Sequence, residues 1–178
     1  MARPRIYGIM AEYEHPGDLL TAAENAYSEG YREMDAYSPM PIHGLAEAVG
    51  FEGTRLPLLV FIGGVTGCVL AYLLFWSIET ILYPQNVGGR PHNSWPAFIP
   101  IMFECTVLLA AITTVLGMLG MNGLPMPYHP VFNNPRFVTA SRNRFFLCIM
   151  SRDARFDADA TTKFLQQTHP RTIAEVEW

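Results

Sequence analysis

"SWPAFIPIMFECTVLLAAITTVLGMLG", residues 94–120, is almost wholly apolar, yet it opens on Pro96 and Pro100 and carries one carboxylate, Glu104. Its length decides the fold class. About 20 consecutive apolar residues let an α-helix cross a bilayer core of about 30 Å, and residues 97–124 hold no charge other than Glu104. A second stretch, residues 56–82, holds none other than Glu79. A buried helix in a soluble domain this small would rarely stay apolar for so long on every face. Both are internal and too long for a secretory signal. The pattern predicts transmembrane helices over residues 55–83 and 96–124, joined by an outer loop at residues 84–95. The joining stretch "YPQNVGGRPHNSW" is short and rich in Gly, Pro and Asn, which predicts an antiparallel hairpin.

The rest of the chain is consistent with that assignment. Half of its 178 residues are apolar and few are charged; no nucleic-acid partner is expected. Arg3, Arg5, Arg32 and Arg55 precede the first span, and Arg136, Arg142, Arg144 and Arg152 follow the second, whereas the loop holds only Arg90. The positive-inside bias then places both termini in the cytoplasm. Trp76, Tyr83 and Trp95 gather at the outer end, where amphipathic rings suit the headgroup region.

Residues 1–54 and 125–178 read as two halves of one cytoplasmic domain. In the first, "RIYGIMAEY" and "YREMDAY" are strands flanking "HPGDLLTAAENAYSEG", a helix with Leu19, Leu20, Ala23, Ala26 and Tyr27 on one face and Gly30 as its stop. In the second, "RFFLCIM" and "RTIAEVEW" flank the helix "DADATTKFLQQT", with Asp157 or Asp159 available as its cap. Two βαβ halves in this order predict an α+β protein: a ferredoxin-like, split βαβ sandwich interrupted by the hairpin. Half a sandwich cannot bury its own core, so "YREMDAY" and "RFFLCIM" are expected to pair as antiparallel neighbours.

Redox and metal chemistry find little support. Cys68, Cys105 and Cys148 form no C-x-x-C pair, haem-attachment motif or Cys/His cluster, so no cofactor or metal is assigned to this chain. "GGVTG" lies inside a span and is no phosphate loop. Instead Gly63, Gly67 and Ala71 recur every fourth residue as a smooth stripe for helix packing, and Ala110, Thr114 and Gly117 offer a comparable face on the second span. His43 and His129 read as turn residues in Pro-rich stretches, "SPMPIHGL" and "LPMPYHPVF", expected to lie along the membrane or on a partner.

Two carboxylates remain as candidate proton or anchor residues. At about 1.5 Å per residue, Glu79 lies about one turn and Glu104 about two turns from the outer surface. Glu79 can reach the interface. Glu104 is too deep for that, and needs a proton, a hydrogen-bonding partner helix or a wet cavity. Pro100 either leaves the Pro96 carbonyl unbonded within a running helix or marks the helix start.

The stretch "NVGGRPHNSWPAFIPIMFECTVLLAAITTVLGMLGMNGLPMPYHPVF", with "SWPAFIPIMFE" as its most distinctive part, resembles the ActD subunit of bacterial alternative complex III, as does "GYREMDAYSPMPIHGLAEAVG". The resemblance implies a subunit, not catalytic by itself, of a respiratory or photosynthetic quinol:electron-acceptor oxidoreductase in the bacterial inner membrane. It places haem c and iron–sulfur clusters on partner subunits, and maps the motif's carboxylate onto Glu104. Three classes of function compete: a structural subunit of that complex with a contribution to proton movement, an accessory subunit of another ion-translocating complex, and a membrane-anchored ligand-binding module.

Overall fold

The computed structural model describes residues 6–51 and 53–178. Arg3 and Arg5, counted above towards orientation, lie outside the described residues. The elements are β1 (Ile6–Tyr13), α1 (Pro16–Ser28), β2 (Met34–Tyr37), the single turn α2 (Leu45–Ala48), α3 (Leu56–Ser77), α4 (Trp95–Met121), β3 (Phe145–Met150), α5 (Ala158–Gln167) and β4 (Thr172–Glu177). They form two compact units. One joins the described part of Met1–Glu52 to Pro127–Trp178; the other is Gly53–Met126.

The first unit is built on a four-stranded antiparallel sheet in the order β2-β3-β1-β4. β2 and β3 pair as the sequence leads one to expect, with Met34 opposite Ile149 and Tyr37 opposite Phe146. The two central strands, β1 and β3, come from opposite ends of the chain and are apolar along nearly their whole length because both faces of the sheet are covered. On one face Ile9, Ala11, Tyr13, Leu147 and Ile149 pack against α1 and α5, through Leu19, Ala22, Ala23, Ala26 and Leu165. On the other, Met10, Phe146, Cys148 and Val176 lie beneath Val131, Phe137 and Ala140.

Those last three residues belong to 3₁₀ turns at Pro130–Asn133 and Pro135–Ser141. Their placement corrects one expectation: the end of "LPMPYHPVF" is not spread along a membrane, since Pro130 and Val131 are buried on the sheet. The helix signals act as their chemistry dictates. Gly30 follows α1 at φ 97°, a conformation glycine adopts at little cost. Asp157 caps α5 by accepting the Ala160 N–H at 2.9 Å.

The second unit is an antiparallel helix pair. Leu56 lies against Gly117, Gly63 against Thr113, Gly67 against Cys105 and Leu109, and the Phe75 ring 5.7 Å from that of Phe98. α3 continues through a π-turn at Ile78–Leu82. The 27-residue stretches Leu56–Leu82 and Trp95–Met121, with mean hydropathy 2.4 and 2.0, are long and apolar enough to cross a membrane. α4 already runs at Pro100, so the Pro96 carbonyl has lost its usual N–H partner. Hydroxyls keep themselves satisfied within the helices: Thr66, Thr80, Thr106 and Thr114 each donate to the carbonyl four residues earlier, at 2.5–2.8 Å.

Candidate functional site

The residues singled out in the apolar stretches occupy different sides of the helix pair. Gly64, Gly67 and Ala71 are buried and Gly63 partly so, all towards α4. A Cβ on Gly67 would fall 2.9 Å from the Cys105 carbonyl carbon and closer still to its oxygen, and one on Gly63 would fall 2.8 Å from Thr113 Cβ. The small stripe thus lets α3 approach the backbone of this chain's own second helix. On α4 the opposing face is made by Cys105, Thr106, Leu109, Ala110 and Thr113.

Glu79 and Glu104 do not meet. Glu79 lies in the π-turn, half-buried, with an oxygen 3.8 Å from Arg90 Nη2 of the loop. The two line an open cleft of about 300 Å³ with Tyr83, Gln85 and His92. Glu104 is exposed on the surface of α4, and among the described residues it has no hydrogen-bond or ion-pair partner. Proximity to the only loop arginine could have signalled the Glu79–Arg90 pair in the sequence.

A second polar constellation, in the sheet unit, escaped the sequence reading. Glu12, at the end of β1, is 3% exposed. It accepts hydrogen bonds from Arg136 Nε at 2.7 Å and Nη2 at 3.2 Å and from Thr172 Oγ1 at 2.9 Å, with Arg144 Nε 3.6 Å away. Glu14 beside it accepts from Arg144 at 2.8 Å and from Arg171. Burial pushes the Glu12 carboxyl up, but the Arg136 and Thr172 hydrogen bonds and the Arg136 and Arg144 charges outweigh it and hold it below the usual carboxylate range. Asp153 is alike in kind: burial opposes its charge, and the N–H groups of Glu33, Arg32 and Arg155 overcome that opposition, donating at 2.7, 2.6 and 2.8 Å. Both groups clamp distant parts of the chain, Glu12 tying β1 to the 3₁₀ segment and β4, Asp153 tying the start of β2 to the turn after β3.

A carboxyl whose folded-state pKa is depressed stabilises the fold above its unfolded value, and that contribution disappears as pH falls through the folded value. Glu12→Gln is therefore expected to cost about 2 kcal/mol at neutral pH, less than a fully buried pair because Arg136 is half-exposed. The gap from wild type should shrink below about pH 4, the unfolded carboxylate range. Denaturant unfolding of the detergent-solubilised chain at several pH values, followed by near-ultraviolet circular dichroism, checks this.

The remaining candidates are structural in their surroundings. His129 accepts the Val131 N–H at 3.4 Å and sets its ring edge-on to Tyr7; His43 is exposed in a turn. Cys148 is fully buried, which together with the Asp35 charge pushes its thiol up to about 12, so it is no ready nucleophile. Among the described residues no three His, Cys, Asp or Glu side chains gather to hold a metal ion.

The chain is thus a mixed helix-and-sheet protein that carries two helices able by length and composition to cross a bilayer. It belongs to the family described as Alternative complex III, ActD subunit, whose model matches residues 7–175, nearly the whole chain. Membership makes it a subunit of alternative complex III, an oxidoreductase complex. Among curated proteins, none matches it.

Proposed function

We propose that this chain is a non-catalytic integral membrane subunit of the quinol-oxidising complex, holding the assembly together from within the bilayer and from its cytoplasmic face. One observation carries the reading: both long helices turn large apolar side chains outward, among them Phe61, Leu70, Leu74, Phe103 and Leu108, each at least half exposed. The core helix of a soluble protein buries such a surface; these helices need lipid or other subunits around them.

On this reading α3 and α4 form a transmembrane hairpin inserted between the second and third strands of a ferredoxin-like sandwich, whose strand order, with one helix inside each half, is that of the split βαβ fold. The arginines flanking the spans support cytoplasmic termini in the inner membrane. Haem c and iron–sulfur clusters reside on partner subunits. Glu104 serves as an anchor between helices, and Glu79, paired with Arg90, holds the outer loop to the end of α3.

Copurification tests the function. Haem absorbance should follow a tagged form of this chain through mild-detergent purification at a constant ratio. A membrane-extracted chain that elutes free of haem would overturn the assignment.

A further inference from the structure

We infer that the face of α4 turned away from α3 seats a transmembrane helix of a different subunit, and that this helix brings an arginine or lysine to Glu104. The inference rests on the function proposed above and adds the position and chemistry of one partner contact.

Ala97, Ile101, Glu104, Leu108, Ala111 and Val115 are all exposed. They recur at alternating intervals of four and three residues, the spacing that forms a continuous seam for a packed helix. This seam is separate from the one α3 fills. Nine residues at about 100° each set Glu104 on the opposite side of the helix from Thr113, which lies against Gly63. Glu104 is the only charged group on the seam.

A carboxylate on the outer face of an apolar helix is costly against lipid, and such groups face protein or water. Among the described residues none supplies the countercharge. The loop's Arg90 is engaged with Glu79, and neither 56–82 nor 95–121 contains a lysine or arginine. A second copy fails for the same reason: two such seams would set Glu104 against Glu104 with no cation between them. A helix from another chain, carrying a guanidinium or ammonium at that depth, satisfies the carboxylate through charge-assisted hydrogen bonds and fills the apolar positions on either side.

Site-specific photo-crosslinking in the intact complex tests this. A diazirine amino acid close to leucine in size is placed at Leu108 or at Ala111 on the seam, or at Phe103, which is exposed but off it. Leu108 and Ala111 are expected to yield a discrete adduct with another subunit, and Phe103 to yield none with that subunit. Mass spectrometry of the adduct should map to an apolar helix containing Arg or Lys. Lipid-only adducts at both seam positions, a dimer of this chain, or a partner helix without a basic residue would each overturn the inference. Haem copurification is read on the same preparations. Haem retained with lipid-only adducts removes this contact and leaves the subunit function standing; loss of haem from the unmodified chain removes the function itself.

Discussion

Gly67→Leu is expected to remove most of the intact complex from the membrane, whereas Leu70→Ile leaves its yield near that of the wild type. Gly67 is buried against α4, and the first atom of any side chain there would meet the Cys105 carbonyl. That obstacle is backbone, so no rotamer change relieves it; α3 and α4 must separate along their length. Overpacking costs about 1–3 kcal/mol when side chains can adjust, and this site belongs at or above the upper end. Leu70 is 55% exposed and points away from the seam, so its exchange keeps both shape and burial. Comparing yields of assembled complex, by native gel and haem content, decides. Equal yields from the two variants would show that close packing of α3 on α4 is dispensable.

Glu104→Leu should likewise deplete the assembled complex, with Glu104→Gln intermediate between it and wild type. Leucine leaves the group that faces Glu104 without any acceptor, and removing one member of a buried pair costs about 3–5 kcal/mol. Glutamine keeps the shape and one acceptor oxygen, so part of the bonding survives. The Gln variant also separates two roles. If Glu104 anchors helices, the complexes that do assemble move as many protons per electron as wild type. If it relays protons, assembly persists but that ratio falls. We propose the anchor, because Glu79 is already paired with Arg90 and, among the described residues, Glu104 has no hydrogen-bond or ion-pair partner through which a path could continue. Proton release from vesicles containing the Gln variant measures the ratio directly.

The arginines show where a sequence rule and a tertiary contact overlap. Arg136, Arg144 and Arg152 were counted as markers of the cytoplasmic side. In the fold Arg136 and Arg144 hold Glu12 and Glu14, and Arg152 pairs with Glu33 at 2.7 Å. The two roles do not conflict, since the orientation bias depends on the number of cationic residues near a span and little on acidic neighbours. A sign of the cluster was nevertheless present: Glu12 breaks the apolar run of "RIYGIMAEY" on a strand buried from Tyr7 to Tyr13. A carboxylate in such a place requires a cation. Its partners come from more than a hundred residues away, and local pattern carries no information about that distance.

What was legible in the sequence was whatever one element decides for itself. Two apolar runs are long enough to span hydrocarbon whatever surrounds them, and the apolar face of α1, the Asp157 cap and the strand character of "RFFLCIM" follow from periodicity and side-chain chemistry alone. The family likewise showed in the unusual "SWPAFIPIMFE". Tertiary structure decided everything that depends on which surfaces meet. It turned the Gly63–Gly67–Ala71 face onto α4, set Glu104 on the far side of that helix, and laid the 3₁₀ segment over the second face of the sheet. The physical reason is that packing is a property of pairs of surfaces: a stripe of small residues permits a close neighbour, and only the folded chain determines which neighbour arrives.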